Sequence, residues 1–176
     1  MSKFGRLSLA VLAASLFQVS CSDSEPEPIT YSPGDSISLG LFTIKVTRAE
    51  RMQALHPLFS GSRSVPEGEK AIAVHVTWSG LKISGNSNMN MHTLLEDILS
   101  IVDDVGDRYP ADEALTRSEF MLNRSEFVRQ LPAGGSSRSS VVVFYVHEES
   151  HDLVLMIEHP DPRDGSSRLL AVPLGM

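Results

Sequence analysis

The chain has a single cysteine, Cys21, among 176 residues, so no intramolecular disulfide closes its fold. Basic charge is also scarce. Fifteen Lys and Arg face 22 Asp and Glu, a formal −7, and arginines such as Arg48, Arg63, Arg117, Arg138 and Arg163 are scattered rather than clustered. That balance repels phosphate backbones and anionic headgroups, and it excludes nucleic acid as a partner. There is no G-x-S-x-G elbow, no phosphate-binding loop and no dinucleotide glycine motif, so the sequence calls for no cofactor. The apolar run near the start, "LSLAVLAASLF", has eleven residues, well short of the roughly 20 that a membrane-spanning helix needs. What the chain does have, 41% hydrophobic residues in this length, suits one globular domain with short appendages.

The short apolar run follows a basic start, "MSKFGR", which is the pattern of a secretory signal peptide. An amphipathic first helix is excluded, because Leu7, Leu9, Val11, Leu12, Leu16 and Phe17 wrap all faces. The junction "QVSC" resembles the lipobox of bacterial lipoproteins, in which the cysteine thiol receives a diacylglycerol; Val19, Ser20 and Cys21 fit, and Gln18 departs from the usual aliphatic residue. Lipidation would consume the thiol and so explain why Cys21 needs no partner, whereas a free thiol in an oxidising compartment is a liability. The stretch after it, "SDSEPEP", alternates acids with serine and proline and cannot bury enough apolar area to fold alone. The expected organisation is a lipoprotein signal peptide over 1–20, a lipidated cysteine and acidic tether over 21–32, and a folded domain over 33–176.

From Ile29 onward the signals are those of strands. "LFTIKVTRA" places Phe42, Ile44 and Val46 on one face and Thr43, Lys45 and Thr47 on the other. "EKAIAVHVTWSG" repeats the alternation, with Ile72, Val74, Val76 and Trp78 inward and His75 facing away, as a surface or interface histidine. "SSVVVFYVH" is apolar on both faces, which predicts a central strand. "ILSIVD", "DLVLMIEH" and "RLLAVPL" add further strands, and Pro173 must sit where no ladder donor is required. Turn chemistry separates them at "SPGD", "PEGE", "DDVGDRYP", "LPAGGSS" and "PDPRDGSS". One stretch reads as helix, "HTLLEDI", where Thr93 and Glu96 have capping-box spacing; residues 111–129 read as an irregular or partly helical connection. About seven short strands joined by turns predict an all-β, antiparallel sandwich.

The segments "PGDSISLGLFTIKVTRAER", "EGEKAIAVHVTWSG", "LSIVDDVGDRYPA" and "LPAGGSSRSSVVVFYVHEESHDLVLMIE", in that order, resemble the bacterial lipoproteins and secreted proteins that carry a telokin-like, immunoglobulin-like domain of unknown function. The resemblance spans roughly residues 33 to 175 and departs at "LPAGG", where Ala133 separates proline from glycine. It implies an immunoglobulin-like sandwich on a lipid anchor, and it carries over no catalytic residues.

Three local constellations bear on chemistry. "HEESH" (His147, Glu148, His151) satisfies the H-E-x-x-H pattern of zinc hydrolases, which requires a helix to bring residues four apart onto one face. Flanked by strands, it reads as a polar turn; in an extended segment the two histidines would stand about 13 Å apart, too far to share a metal. "NMNMH" (Met89, Met91, His92) offers soft ligands suited to copper, with Met52 and His56 as further candidates; capping the sandwich edge is the competing role. "DDVGD" (Asp103, Asp104, Asp107) has oxygen ligands but lacks the spacing of a calcium loop, and reads as a hairpin turn. The leading expectation is a non-enzymatic interaction module, lipid-anchored in the bacterial cell envelope, that meets an envelope protein or an extracellular ligand. The alternatives are a copper-type lipoprotein using Met89, Met91 and His92, with His147 or His151, and a zinc metallohydrolase through "HEESH".

Overall fold

A computed structural model describes residues 27–40, 42–52, 65–79, 91–116, 137–160 and 167–176. In chain order the elements are β1 (Ile29–Thr30), β2 (Ile37–Ser38), β3 (Thr43–Arg51), β4 (Glu69–Ser79), α1 (Met91–Ile98), β5 (Leu99–Val102), β6 (Arg108–Pro110), β7 (Arg138–His147), β8 (Val154–Pro160) and β9 (Ser167–Pro173). They form two sheets, ordered β2-β3-β4-β7 and β1-β9-β8-β5-β6. The expected all-β sandwich is observed. Seven strands have three or more residues, and β1 and β2 are two-residue additions at sheet edges.

The two inner faces meet in one core, to which the four-stranded sheet brings Ile44, Val74, Val76, Val142, Phe144 and Val146 and the five-stranded sheet brings Ile101, Leu155, Ile157 and Val172. Each such side chain removed from water contributes about 1.5–3 kcal/mol. Trp78 is buried in this core, as its place in the alternation predicts, and its indole N–H donates to Ser140 Oγ at 3.1 Å. That bond gives the one polar atom of the ring a partner.

Three expectations need revision. Among the described strands, β7 ends its sheet rather than running through the middle. It is apolar on both faces because its outer side is also covered: Val141 and Val143 pack with Ala71, Ala73 and Leu115 in a second, smaller cluster. Leu115 lies in a helical turn over residues 113–116, capped by Asp112, whose Oδ1 accepts from Leu115 N at 2.8 Å. The same segment follows the edge of β7, with an isolated bridge between Ala111 and Phe144, Asp112 N donating to Val143 O at 2.7 Å, and Val143 N donating to Thr116 Oγ1 at 3.0 Å.

Second, α1 starts at Met91, so Thr93 lies inside the helix rather than at its cap. Third, Ile29 and Thr30, assigned above to the tether, pair with Leu170 and Ala171, and Tyr31 packs on the core. Pro173 behaves as required. Tyr31 N bonds Ala171 O, so the nitrogen two residues further on faces the β1 side, beyond the end of that strand.

Candidate functional site

β5 runs from Leu99 into the turn over 103–107, and Val102 pairs with Val154, which follows the turn over 148–152. Glu69 pairs with His147, so the turn before β4 lies at this end too. Backbone bonds join these loops: Glu148 N to Gly68 O at 2.8 Å, Asp104 N to His151 O at 3.2 Å, and Leu153 N to Met176 O at 3.3 Å. We call this the upper end. α1, which feeds the opposite terminus of β5, marks the lower one.

The upper end is organised around Asp103, which is 7% exposed. Its Oδ1 accepts from the backbone N–H groups of Val105 at 3.2 Å and Asp107 at 2.9 Å. Its Oδ2 accepts from the Tyr109 hydroxyl at 2.9 Å and from Ser150 Oγ at 2.7 Å. Burial alone would raise the Asp103 pKa, but these donors, Ser150 and Tyr109 foremost, outweigh it and hold the carboxyl below its ordinary value. The Tyr109 phenol is pushed above its ordinary value, first by burial and then by the negative Asp103, against an opposing contact with the Ser150 hydroxyl at 3.1 Å. The Tyr109 and His147 rings pack in a T-shaped pair, with centroids 5.6 Å apart and planes at 87°.

The turn needs a left-handed residue where Gly106 stands, at φ 91°, a conformation that only glycine adopts freely. Asp152 occupies the left-handed region at φ 46° in the neighbouring turn, which aspartate tolerates better than most residues. Lys70 crosses from the other sheet, and its Nζ donates to the carbonyls of Ser150 at 2.7 Å and Glu148 at 3.1 Å. Arg51 pairs with Glu148 at 2.8 Å. The result is a hydrogen-bonded platform that presents Val105, 75% exposed, between the exposed acids Asp104 and Asp107.

This arrangement uses the Asp103 oxygens completely, so "DDVGD" is the hairpin turn its composition predicts. Ser150 is buried and gives its proton to Asp103, which leaves it no role as an accessible nucleophile. "HEESH" begins at the last residue of β7 and continues into a turn closed by Ser150 N to His147 O at 3.1 Å, not a helix. Met91 and His92 open α1, with side chains outside the described set; Met89, His56 and Cys21 lie outside the described residues altogether. Met52 packs against the smaller apolar cluster. Among the described residues, no group of three or more His, Cys, Asp or Glu is placed to hold a metal ion.

A second polar group sits on the outer face of the four-stranded sheet. A bulge between Val46 and Arg48 brings Arg48 opposite His75, and Glu50 Oε1 accepts from His75 Nε2 at 2.9 Å and from Arg48 Nη2 at 2.8 Å. The outward direction of His75 is as its alternation predicts. Tyr109, Ser150 and Lys70 carried no signal of their own in the sequence. Only Asp103, an Asx-type residue opening a glycine turn, marked the place.

No family model matches the chain, and no curated protein matches it in sequence. Solved structures do. A "putative lipoprotein" from Staphylococcus aureus aligns at 12% identity over 80% of this chain and 89% of that one, with a TM-score of 0.53. A conserved hypothetical protein from Bacillus anthracis aligns at 13% identity over 80% and 94%, with a TM-score of 0.52. An uncharacterized β-sandwich protein from Clostridium difficile aligns at 12% identity over 84% and 95%, with a TM-score of 0.49. At such identities the first two likenesses establish one thing, the fold: this chain is a two-sheet β-sandwich of an architecture also built by bacterial proteins of very different sequence.

Proposed function

We propose that the protein is a lipid-anchored, non-enzymatic binding module of the bacterial cell envelope, held through Cys21 and meeting an envelope protein or extracellular ligand with its upper end. The observation that carries this reading is the exposed tip at Val105. The hydrogen-bonded loop holds this apolar side chain three-quarters exposed among acids, a ready contact point on a loop carried by the scaffold. Asp104, Asp107, Glu148, Glu149 and Asp152 surround this end exposed, with Arg51 as the exposed counter-charge, so the complementary partner is basic around an apolar pocket. The resemblance to lipoproteins with an immunoglobulin-like domain, and the lipobox-like junction at Cys21, support the anchor.

Fatty-acid labelling should mark the wild-type protein and not Cys21→Ala. A photo-crosslinker at position 105 should capture one envelope component, competed away by excess soluble domain and abolished by flanking Asp104→Lys and Asp107→Lys changes. Equal capture from a crosslinker at Ser167, at the opposite end, overturns the assignment of the surface.

A further inference from the structure

We infer that the anchored domain stands upright, with its β8–β9 end toward the bilayer and its upper end directed away. This rests on the anchor reading above, and it follows from the register of β1. β1 runs parallel to β9, with Ile29 opposite Leu170 and Thr30 opposite Ala171. β9 in turn rises from Ser167, opposite Pro160, to Pro173, opposite Val154, and Val154 adjoins the upper turns. The chain therefore enters β1 from the side of the β8–β9 end and travels upward.

A sharp reversal just before β1 is opposed locally. Pro28 has a fixed φ and biases Glu27 toward extended backbone, and both residues are exposed and neither is itself in a turn. Eight peptide steps separate Cys21 from Ile29, a reach of at most about 29 Å, so the anchor keeps the domain close to the surface.

The experiment uses the full lipidated chain in vesicles containing anionic phospholipid, with a short-range quencher carried on the lipid headgroups. Cys21 is the sole cysteine and its thiol is consumed by the lipid, so Val105→Cys or Ser167→Cys supplies a single labelling site. Quenching at position 167 should exceed that at 105 several-fold, and a long Gly/Ser insertion after Ser24 should shrink the difference. Equal quenching at both positions, or stronger quenching at 105, in protein that floats with the vesicles overturns the orientation alone. Protein that does not float, with no fatty acid on Cys21, overturns the anchor and the orientation with it.

Discussion

At the lower end of the sandwich α1 lays Leu95, fully buried, and Ile98 against the strands β5, β7 and β8, and closure there is mainly apolar, with buried polar atoms of Glu96 and His159 beside it. At the upper end closure depends on a carboxylate with four donors, a lysine bridging two carbonyls, and one surface ion pair. The first kind of closure supplies free energy and tolerates small changes of shape. The second fixes geometry: each partner must be present, because a buried polar group left unmatched costs more than its hydrogen bond contributed. A binding surface needs its geometry fixed more than it needs added stability, and the polar end is the one that carries the exposed tip.

Four measurements break or sharpen that contrast. Leu95→Ala should show the largest effect, a loss of about 3 kcal/mol in chemical denaturation. The loss should be the same at neutral and acid pH, since no charge is involved; a pH-dependent loss would contradict the apolar account of the lower end. Asp103→Asn should lower the melting temperature by several degrees at neutral pH, because the amide turns a donor toward donors. Its pH dependence has a definite sign. The folded pKa lies below the ordinary 3.8, so the stabilisation is complete above that pH and is lost as the pH falls through the folded value. Wild type and variant should therefore converge in urea titrations below pH 3.8.

Tyr109→Phe should cost less, about 1 kcal/mol for the lost hydroxyl contact. Here the sign is opposite: the folded pKa is above the ordinary 10.0, so the contribution holds below pH 10.0 and disappears as the pH rises through the folded value. The wild type should lose stability on that alkaline flank in a way the Phe variant does not, with ultraviolet absorbance reporting the phenolate. Smallest of all, Arg48→Ala on the outer face should change stability by less than about 0.5 kcal/mol, because both members of its pair with Glu50 are about half exposed; added salt should erase the difference.

Strand alternation made most of the sandwich legible. The inward faces of β3 and β4 and the turn at "DDVGD" need only local chemistry, so their sequence reveals them. β7 misleads for a physical reason: apolar residues on both faces report coverage on both faces, not a place in the middle of a sheet. The cover comes from the turn around Leu115, about 27 residues earlier than Val142. The Asp103 network was invisible for the same kind of reason. Its shortest bond joins residues 47 positions apart, and a serine inside "HEESH" draws attention to its histidines rather than to itself.

The segment from Ala111 to Thr116 has one more consequence. "SVVVFYV" combines strong β-forming residues with no charge, the composition from which intermolecular zippers grow, and it lies on a strand that ends its sheet among the described strands. By bridging Phe144 and engaging both backbone groups of Val143, the preceding segment acts as a guard rail along that edge. Cover for this stretch of the edge thus comes from a short turn capped by Asp112, a residue that belongs to neither sheet.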